Sequence, residues 1–163
     1  MNRTAAGAIA FLAVLAADQA SKHWILSGLD LPSLGTVAVL PFLNLTMVWN
    51  HGVTFGLLGG LGAYGAWLLT GVALAVVVAL FLWLRRADSL RVAFALGAIA
   101  GGAVGNVIDR LRFGAVVDFI HAHAFGYSWY VFNVADAAIV CGVATLVLDG
   151  LASRPPPAGN VTI

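Results

Sequence analysis

A chain of 163 residues that is 61% hydrophobic and 9% charged, with a mean hydropathy of +0.98, is far more apolar than the roughly 45–50% of a soluble domain, and it belongs in a bilayer. Its net charge of +1 offers no basic surface for nucleic acid. The only cysteine, Cys141, excludes an intrachain disulfide or a thiolate metal cluster, and its apolar surroundings read as a small core residue.

The first apolar span covers about residues 5–26. It opens like a secretory signal, with Arg3, an apolar run to Ala17 and small residues at Ala17 and Ala20. The helical period continues through Trp24, Ile25 and Leu26, so the expectation is a retained helix. Within it Asp18 and Lys22 stand four apart, share a helix face and can pair, which relieves the roughly 2.5–3.5 kcal/mol cost of a lone central charge. They serve either as a structural pin or as part of a site. Over residues 28–62, Pro32, Gly35, Pro41, Gly52, Gly56, Gly59, Gly60 and Gly62 argue against a helix. Leu43, Leu45, Met47 and Trp49 alternate with Asn44, Thr46 and Asn50, a strand period broken only by Val48. A small sheet on the membrane surface is expected there. It ends in Asn50-His51-Gly52, followed by Phe55-Gly56, where glycines either form a plain turn or let the backbone approach a ligand.

A second span over 63–84 stops at Arg85-Arg86, and a third covers 92–110. Along the third, Gly97, Gly101 and Gly105 recur every four residues and leave one face bare for a close helix neighbour. Asn106 and Arg110 continue down this helix with Asp109 beside them. An external loop over 111–132 carries Phe, Tyr and Trp at headgroup level. Asn133 is expected to cap a fourth span over 134–151. No linker or repeat precedes the Pro155-Pro156-Pro157 tail, so one integral membrane domain over 1–163 is expected. The fold predicted is an all-α membrane protein, four transmembrane helices with a small external β-sheet and loop cradle. Arg3, Arg85, Arg86, Arg91 and Arg154 on one side outnumber Lys22, Arg110 and Arg112 on the other, which puts both termini in the cytoplasm. Asp18 and Asp109 are candidate partners for two of those three exceptions.

Between Gly101 and Asp136 the chain gathers Asn106, Asp109, Arg110, Asp118, Asn133 and Asp136, and polar groups so concentrated in a membrane protein mark a working site. All seven acidic residues are aspartates, as if placed at sites and not spread over a solvated face. Asp118 and Asp136 read as the near ends of two flanking helical segments, so packing those segments side by side brings the acids together. Two close carboxylates share one proton and titrate as a unit. The charged member can take a proton from water while the protonated member polarises a scissile carbonyl. Either Asn133 or Asn106 can orient a carboxylate or hold substrate backbone. A metallopeptidase using His121 and His123, with Asp118, is the rival enzyme, though a helical metal site would offer His residues four apart and a Glu, which this chain lacks. A channel conducting through buried Asp predicts polar groups at matched depths in several spans, whereas here they gather at the external ends.

The blocks Asp18-Gln19-Ala20-Ser21-Lys22, Asn50-His51-Gly52-Val53-Thr54-Phe55-Gly56, Gly105-Asn106-Val107-Ile108-Asp109-Arg110, Gly114-Ala115-Val116-Val117-Asp118-Phe119 and Phe132-Asn133-Val134-Ala135-Asp136 together resemble the motif set of the lipoprotein signal peptidase (signal peptidase II) family, in the family's order. The resemblance implies a bacterial inner-membrane aspartyl peptidase that removes the signal peptide from diacylglyceryl-modified prolipoproteins, cutting before the lipid-bearing cysteine. It implies Asp118 and Asp136 as the catalytic pair, with Asn106, Arg110 and Asn133 holding the dyad and the substrate backbone. Asn50 and Gly52 would lie at the rim, and Asp18, Lys22 and Asp109 would support the geometry. It further implies a periplasmic cradle over the site, inhibition by globomycin-type peptides, a lipid environment, no cofactor or metal, and a monomer.

Overall fold

The computed structural model describes residues 2–52 and 63–152. Four helices within it are long and apolar enough to cross a membrane. The first, α1 (Arg3–His23), starts where the Asn2 side chain accepts from the Thr4 N–H at 3.0 Å, and it runs on into a π-helical turn over Trp24–Gly28. A single turn, α2 (Leu31–Leu34), follows. Strands β1 (Thr36–Leu40) and β2 (Leu43–Asn50) form a hairpin. The remaining long helices are α3 (Ala63–Leu84), α4 (Leu90–Phe113) and α5 (Val134–Ala152), with β3 (Val116–Ala124) and β4 (Tyr127–Ser128) between the last two. The turn at α2 is a small departure from the helix-free reading of 28–62. Pro32 sits in its first turn, where the missing N–H costs nothing.

The bundle is built around α4. Over an apolar 18-residue stretch of it 78% is buried, against 11–22% in the corresponding stretches of the other three. The glycine face explains how the neighbours come so close. A Cβ at Gly97 would collide with the Gly7 carbonyl, one at Gly101 with the Phe11 backbone, and one at Gly105 with the Asp18 carboxylate. These pairs advance together along both helices, so α1 and α4 run parallel at backbone contact, the small-residue packing that lipid-embedded helices use. On another side of α4, Gly102 meets the Ala135 carbonyl, and Gly142 of α5 faces the Ala95 carbonyl and Ile99. Here the two helices are antiparallel. Leu80 and Leu84 of α3 join Val92, Ala93, Leu96 and Ile99 of α4 in one apolar cluster.

The outward faces of α3 and α5 expose Val72, Val78, Leu82, Val140 and Leu148, the surface a helix turns to lipid. Cys141 is also exposed, which corrects its reading as a core residue. In a bundle centred on α4, half of α5 faces outward and an apolar run cannot tell lipid from core.

The four strands form one antiparallel sheet in the order β1-β2-β3-β4. Leu45 pairs with Ile120 and Val48 with Asp118, so β2 carries one extra residue at that point. This bulge is the physical meaning of the break at Val48 in the alternating pattern. Val117 and Phe119 are buried with Ile25 of the π-helical turn and Leu31 of α2. The expected aromatic loop over 111–132 therefore contains the end of α4 and the strands β3 and β4. The run Val116-Val117-Asp118-Phe119-Ile120 has the β-branched and aromatic content that favours a pleated, half-buried surface.

Candidate active site

Four elements, α4, β2, β3 and α5, meet at the sheet end of the bundle, and each delivers a polar residue. Helix α4 ends in an αL residue, Gly114 (φ 72°), whose N–H closes on the Arg110 carbonyl at 2.9 Å. A side chain there would be strained, and the turn feeds the chain at once into β3. Asp118 is on that strand, two residues into it, and not at a helix end as the spacing suggested. It lies between Val117 and Phe119, and a strand's alternation turns its carboxylate away from the apolar cluster those two join. Asn50 is its diagonal neighbour on β2 and donates Nδ2 to Asp118 Oδ2 at 2.9 Å.

Asn133 caps α5 as expected. Its Oδ1 accepts from the Asp136 N–H at 2.9 Å, and Asp136 Oδ2 accepts from the Asn133 N–H at 3.3 Å. The reciprocal exchange is a capping box with an acid at its fourth position. The Asn133 Nδ2 is left free for Asp118 Oδ1, at 2.7 Å. Asn106, from the middle of α4's polar end, donates Nδ2 to Asp136 Oδ1 at 2.9 Å and accepts from Asn133 Nδ2 at 3.2 Å. The two acids are thus joined through two amides drawn from two helices.

Behind the amides lies a buried charge cluster. The Lys22 ammonium donates to Asp18 Oδ2 at 2.9 Å, to Asn106 Oδ1 at 3.0 Å and to Asp109 Oδ2 at 2.6 Å. Its three protons are all used. Asp18 also accepts from the Ala135 N–H at 3.0 Å, one of the orphan donors that start α5, and Asp109 accepts from the Val117 N–H at 3.1 Å. The cluster therefore ties α1, α4, β3 and α5 to one point. The expected pairing of Asp18 with Lys22 is present. Asp109 is not Arg110's partner, since Lys22 occupies it. The Arg110 guanidinium instead donates to the carbonyls of Asn106 at 3.4 Å and Gly52 at 3.3 Å. Arg110 Nε is buried without a partner among the described residues.

Gly52 holds its place because its N–H donates to Asn50 Oδ1 at 3.1 Å, so a single asparagine turns the chain and reaches Asp118. Asn50 is accordingly in direct contact with an acid. Val53, Thr54, Phe55 and Gly56, with the glycines up to Gly62, lie outside the described residues, as do Arg154 and the proline tail.

Gln19 was not singled out by sequence reasoning, yet its amide donates to Asp18 at 3.2 Å, to the Gly105 carbonyl at 3.3 Å and to Asp109 at 3.3 Å. The available signal was a third polar residue within one turn of Asp18 and Lys22 in an otherwise apolar span.

Burial pushes the Asp118 carboxyl up to about 7, the nearby Asp136 charge adds to this, and the amide donors of Asn50 and Asn133 with the Lys22 charge oppose it. A carboxyl in that range can hold or release a proton near neutrality. His121 and His123 are on the same strand with rings 5.7 Å apart. The His121 nitrogens are engaged by Thr46 at 3.3 Å and Ser128 at 2.6 Å. An odd spacing in a strand puts both rings on the face opposite to Asp118. Among the described residues no three His, Cys, Asp or Glu side chains converge.

Three spanning helices around a buried fourth, with a surface sheet lowering an acid onto a second acid at a helix start, define a membrane protein with an acidic site at one end of its bundle. The family model for Signal peptidase (SPase) II matches residues 10–152. A lipoprotein signal peptidase of Methylorubrum extorquens (strain PA1) is 54% identical over 157 residues, covering 96% of this chain and 91% of the relative. A lipoprotein signal peptidase of Rhodopseudomonas palustris is 45% identical over 153 residues, 91% of this chain and 93% of the relative. A solved structure described as a bacterial membrane enzyme superposes with a TM-score of 0.80 at 27% identity, covering 96% of this chain and 94% of its own. The chain belongs to the signal peptidase II family, and it is a membrane protease.

Proposed function

We propose that the chain is an aspartic endopeptidase that removes the signal peptide from diacylglyceryl-modified prolipoproteins, cutting on the amino side of the lipid-bearing cysteine. The observation that carries this reading is the amide bridge between Asp118 and Asp136, with Asn133 donating to the first while exchanging hydrogen bonds with the second. Two acids fixed in this way, Asp118 buried and Asp136 partly buried, share a proton, and the ionised member draws a proton from the water that attacks the scissile carbonyl. The protonated member donates to the carbonyl oxygen as it gains charge, then passes the proton to the leaving amine. Water is the only co-reactant, and no covalent intermediate forms. Arg110 Nε, a buried donor unpartnered among the described residues, is available to a substrate carbonyl. Asn50 and Gly52 carry the sheet's edge to the same place, and Asp18, Lys22 and Asp109 hold the amides in register.

On this reading residues 1–163 form a single peptidase domain in the bacterial inner membrane, with both termini cytoplasmic and with 28–62 and 111–132 facing the periplasm. It works as a monomer among membrane lipids and is blocked by globomycin-type peptides. Incubating the purified protein with a diacylglyceryl-modified precursor tests the proposal. The expected product begins at the modified cysteine. An unmodified precursor cut equally well, or a product ending elsewhere, refutes it.

A further inference from the structure

Behind the Lys22 cluster, on the far side from the paired acids, a cavity of about 290 Å³ opens at the end of the bundle. This is the lower end of the size range of ligand pockets, about 300 Å³. His23 at the end of α1, Ser27 of the π-helical turn, Trp49 of β2, and Arg112 and Phe113 at the end of α4 line it. Its floor is Lys22 and Asp109, joined at 2.6 Å, and the same ammonium is shared with Asp18 at 2.9 Å. Gln19 and the Val117 N–H take up the remaining capacity of Asp109. The floor is therefore satisfied and asks nothing of a ligand.

The walls differ from the floor. Among the described residues neither the Arg112 guanidinium nor the His23 imidazole meets a carboxylate. Arg112 instead lies 5.0 Å from the centre of the Phe113 ring, and Phe113 meets Trp49 edge-on at 5.5 Å. A cation resting on an aromatic face, with a second donor ring and the Ser27 hydroxyl across the opening, is an anion-recognition geometry. The planar guanidinium fork matches two oxygens of a phosphate. The surroundings decide which phosphate. Trp24, next to His23, and Leu111, next to Arg112, are 53% and 57% exposed, and Leu26 lines the cavity itself. An aromatic and an apolar side chain at the end of a spanning helix sit at the boundary of headgroups and acyl chains.

We propose that this cavity binds the phosphodiester headgroup of an anionic phospholipid, with Arg112 as its principal donor, His23 and Ser27 as secondary donors, and the acyl chains passing over Trp24 and Leu111 into the bilayer. The inference rests on the membrane reading of the chain and not on its peptidase activity. The occupied cavity would brace Lys22 from behind, since its back wall is the cluster that holds Asn106.

The test uses the whole purified protein in a detergent without phosphate, with lipid retention followed by native mass spectrometry against phosphatidylglycerol, phosphatidylcholine and inorganic phosphate. Phosphatidylglycerol should be retained in preference to phosphatidylcholine, and inorganic phosphate should not displace it. Arg112→Gln with His23→Gln should weaken retention about tenfold, the loss expected for charge-assisted hydrogen bonds. Arg85→Gln with Arg86→Gln, which removes two cations at the other end of the bundle, should retain the lipid as the unaltered chain does. Arg112→Lys keeps the charge, loses the fork and should fall between, which separates recognition from a general loss of fold. Equal retention by the Arg112/His23 variant, no preference over phosphatidylcholine, or displacement by inorganic phosphate would each overturn the assignment.

Discussion

Asn133 and Asp136 cap one another: the side chain of the first accepts from the backbone of the second at 2.9 Å, and the carboxylate of the second accepts from the backbone of the first at 3.3 Å. The same Asn133 amide reaches Asp118 at 2.7 Å, so the residue that starts α5 also sets how the two acids stand to each other. Asn133→Ala removes the cap and leaves Asp118 short of a donor. A loss of about 2 kcal/mol in stability is expected from the cap and the orphaned polar groups. Turnover should fall at least about 100-fold, because misplacing a catalytic group by an ångström has that effect. Thermal unfolding and a cleavage assay measure the two separately, and near-normal turnover would dissociate Asn133 from the acid pair.

Asp118→Asn and Asp136→Asn should each abolish cleavage. Asp136 accepts on both oxygens, from Asn106 Nδ2 and the Asn133 N–H, and Asp118 does likewise, so the two variants share one folding consequence. Both oxygens of Asp118 accept from amide nitrogens, from Asn50 at 2.9 Å and Asn133 at 2.7 Å. An amide at 118 presents one NH2 to another, and one of those bonds must turn away or be lost, at a cost of about 1 kcal/mol. Asp149→Asn should leave activity unchanged, since Asp149 stands about 20 Å along α5 from Asp136 at 1.5 Å per residue. Measurable turnover by either acid variant would refute the dyad.

The raised carboxyl of Asp118 has a consequence for stability with a definite sign. Its folded value of about 7 lies above the ordinary 3.8, so between those limits the folded state binds the proton and the unfolded state does not. Stability therefore falls as pH rises from about 4 to about 7 and levels off above, by at most about 4 kcal/mol for a shift of that size. Asp118→Asn has no such proton. The difference in Tm, variant minus unaltered protein, should become steadily more positive across this window and then stay constant. A difference that becomes more negative with rising pH would contradict the burial of an acid at this position.

The helices and their close approach were legible because glycines every four residues have one physical meaning in an apolar span. Asp18 and Lys22 were legible for the same reason, a fixed spacing on a fixed geometry. The position of Asp118 on a strand was harder to read. The run from Val116 to Ile120 continues the apolar character of the preceding helix, and only its β-branched content marks the change of period. The partner of Asp109 was hidden because Arg110 adjoins it in sequence, whereas Lys22 arrives from another helix through the contact that Gly105 permits. Which amide serves which acid depends on tertiary packing, and no spacing encodes it. Likewise, Cys141 could not be assigned to lipid or core until α4 was known to be the central helix.

Gly105 joins helix packing to the candidate chemistry, and a substitution there tests the connection. A Cβ at this position would collide with the Asp18 carboxylate. Asp18 holds Lys22 at 2.9 Å and the Ala135 N–H at 3.0 Å, so displacing it loosens both the ammonium behind Asn106 and the first turn of α5. Gly105→Ala gains helix propensity, about 1 kcal/mol in isolation. In this bundle it should nonetheless lower Tm and depress kcat more than KM, because it moves the acids without touching the substrate path. Gly150→Ala, at a helical position where an added Cβ meets nothing within 4 Å, provides the comparison and should leave kcat unchanged and Tm unchanged or slightly raised. If Gly105→Ala behaves like Gly150→Ala in stability and in kcat, the Lys22 cluster is not what holds the paired acids in place.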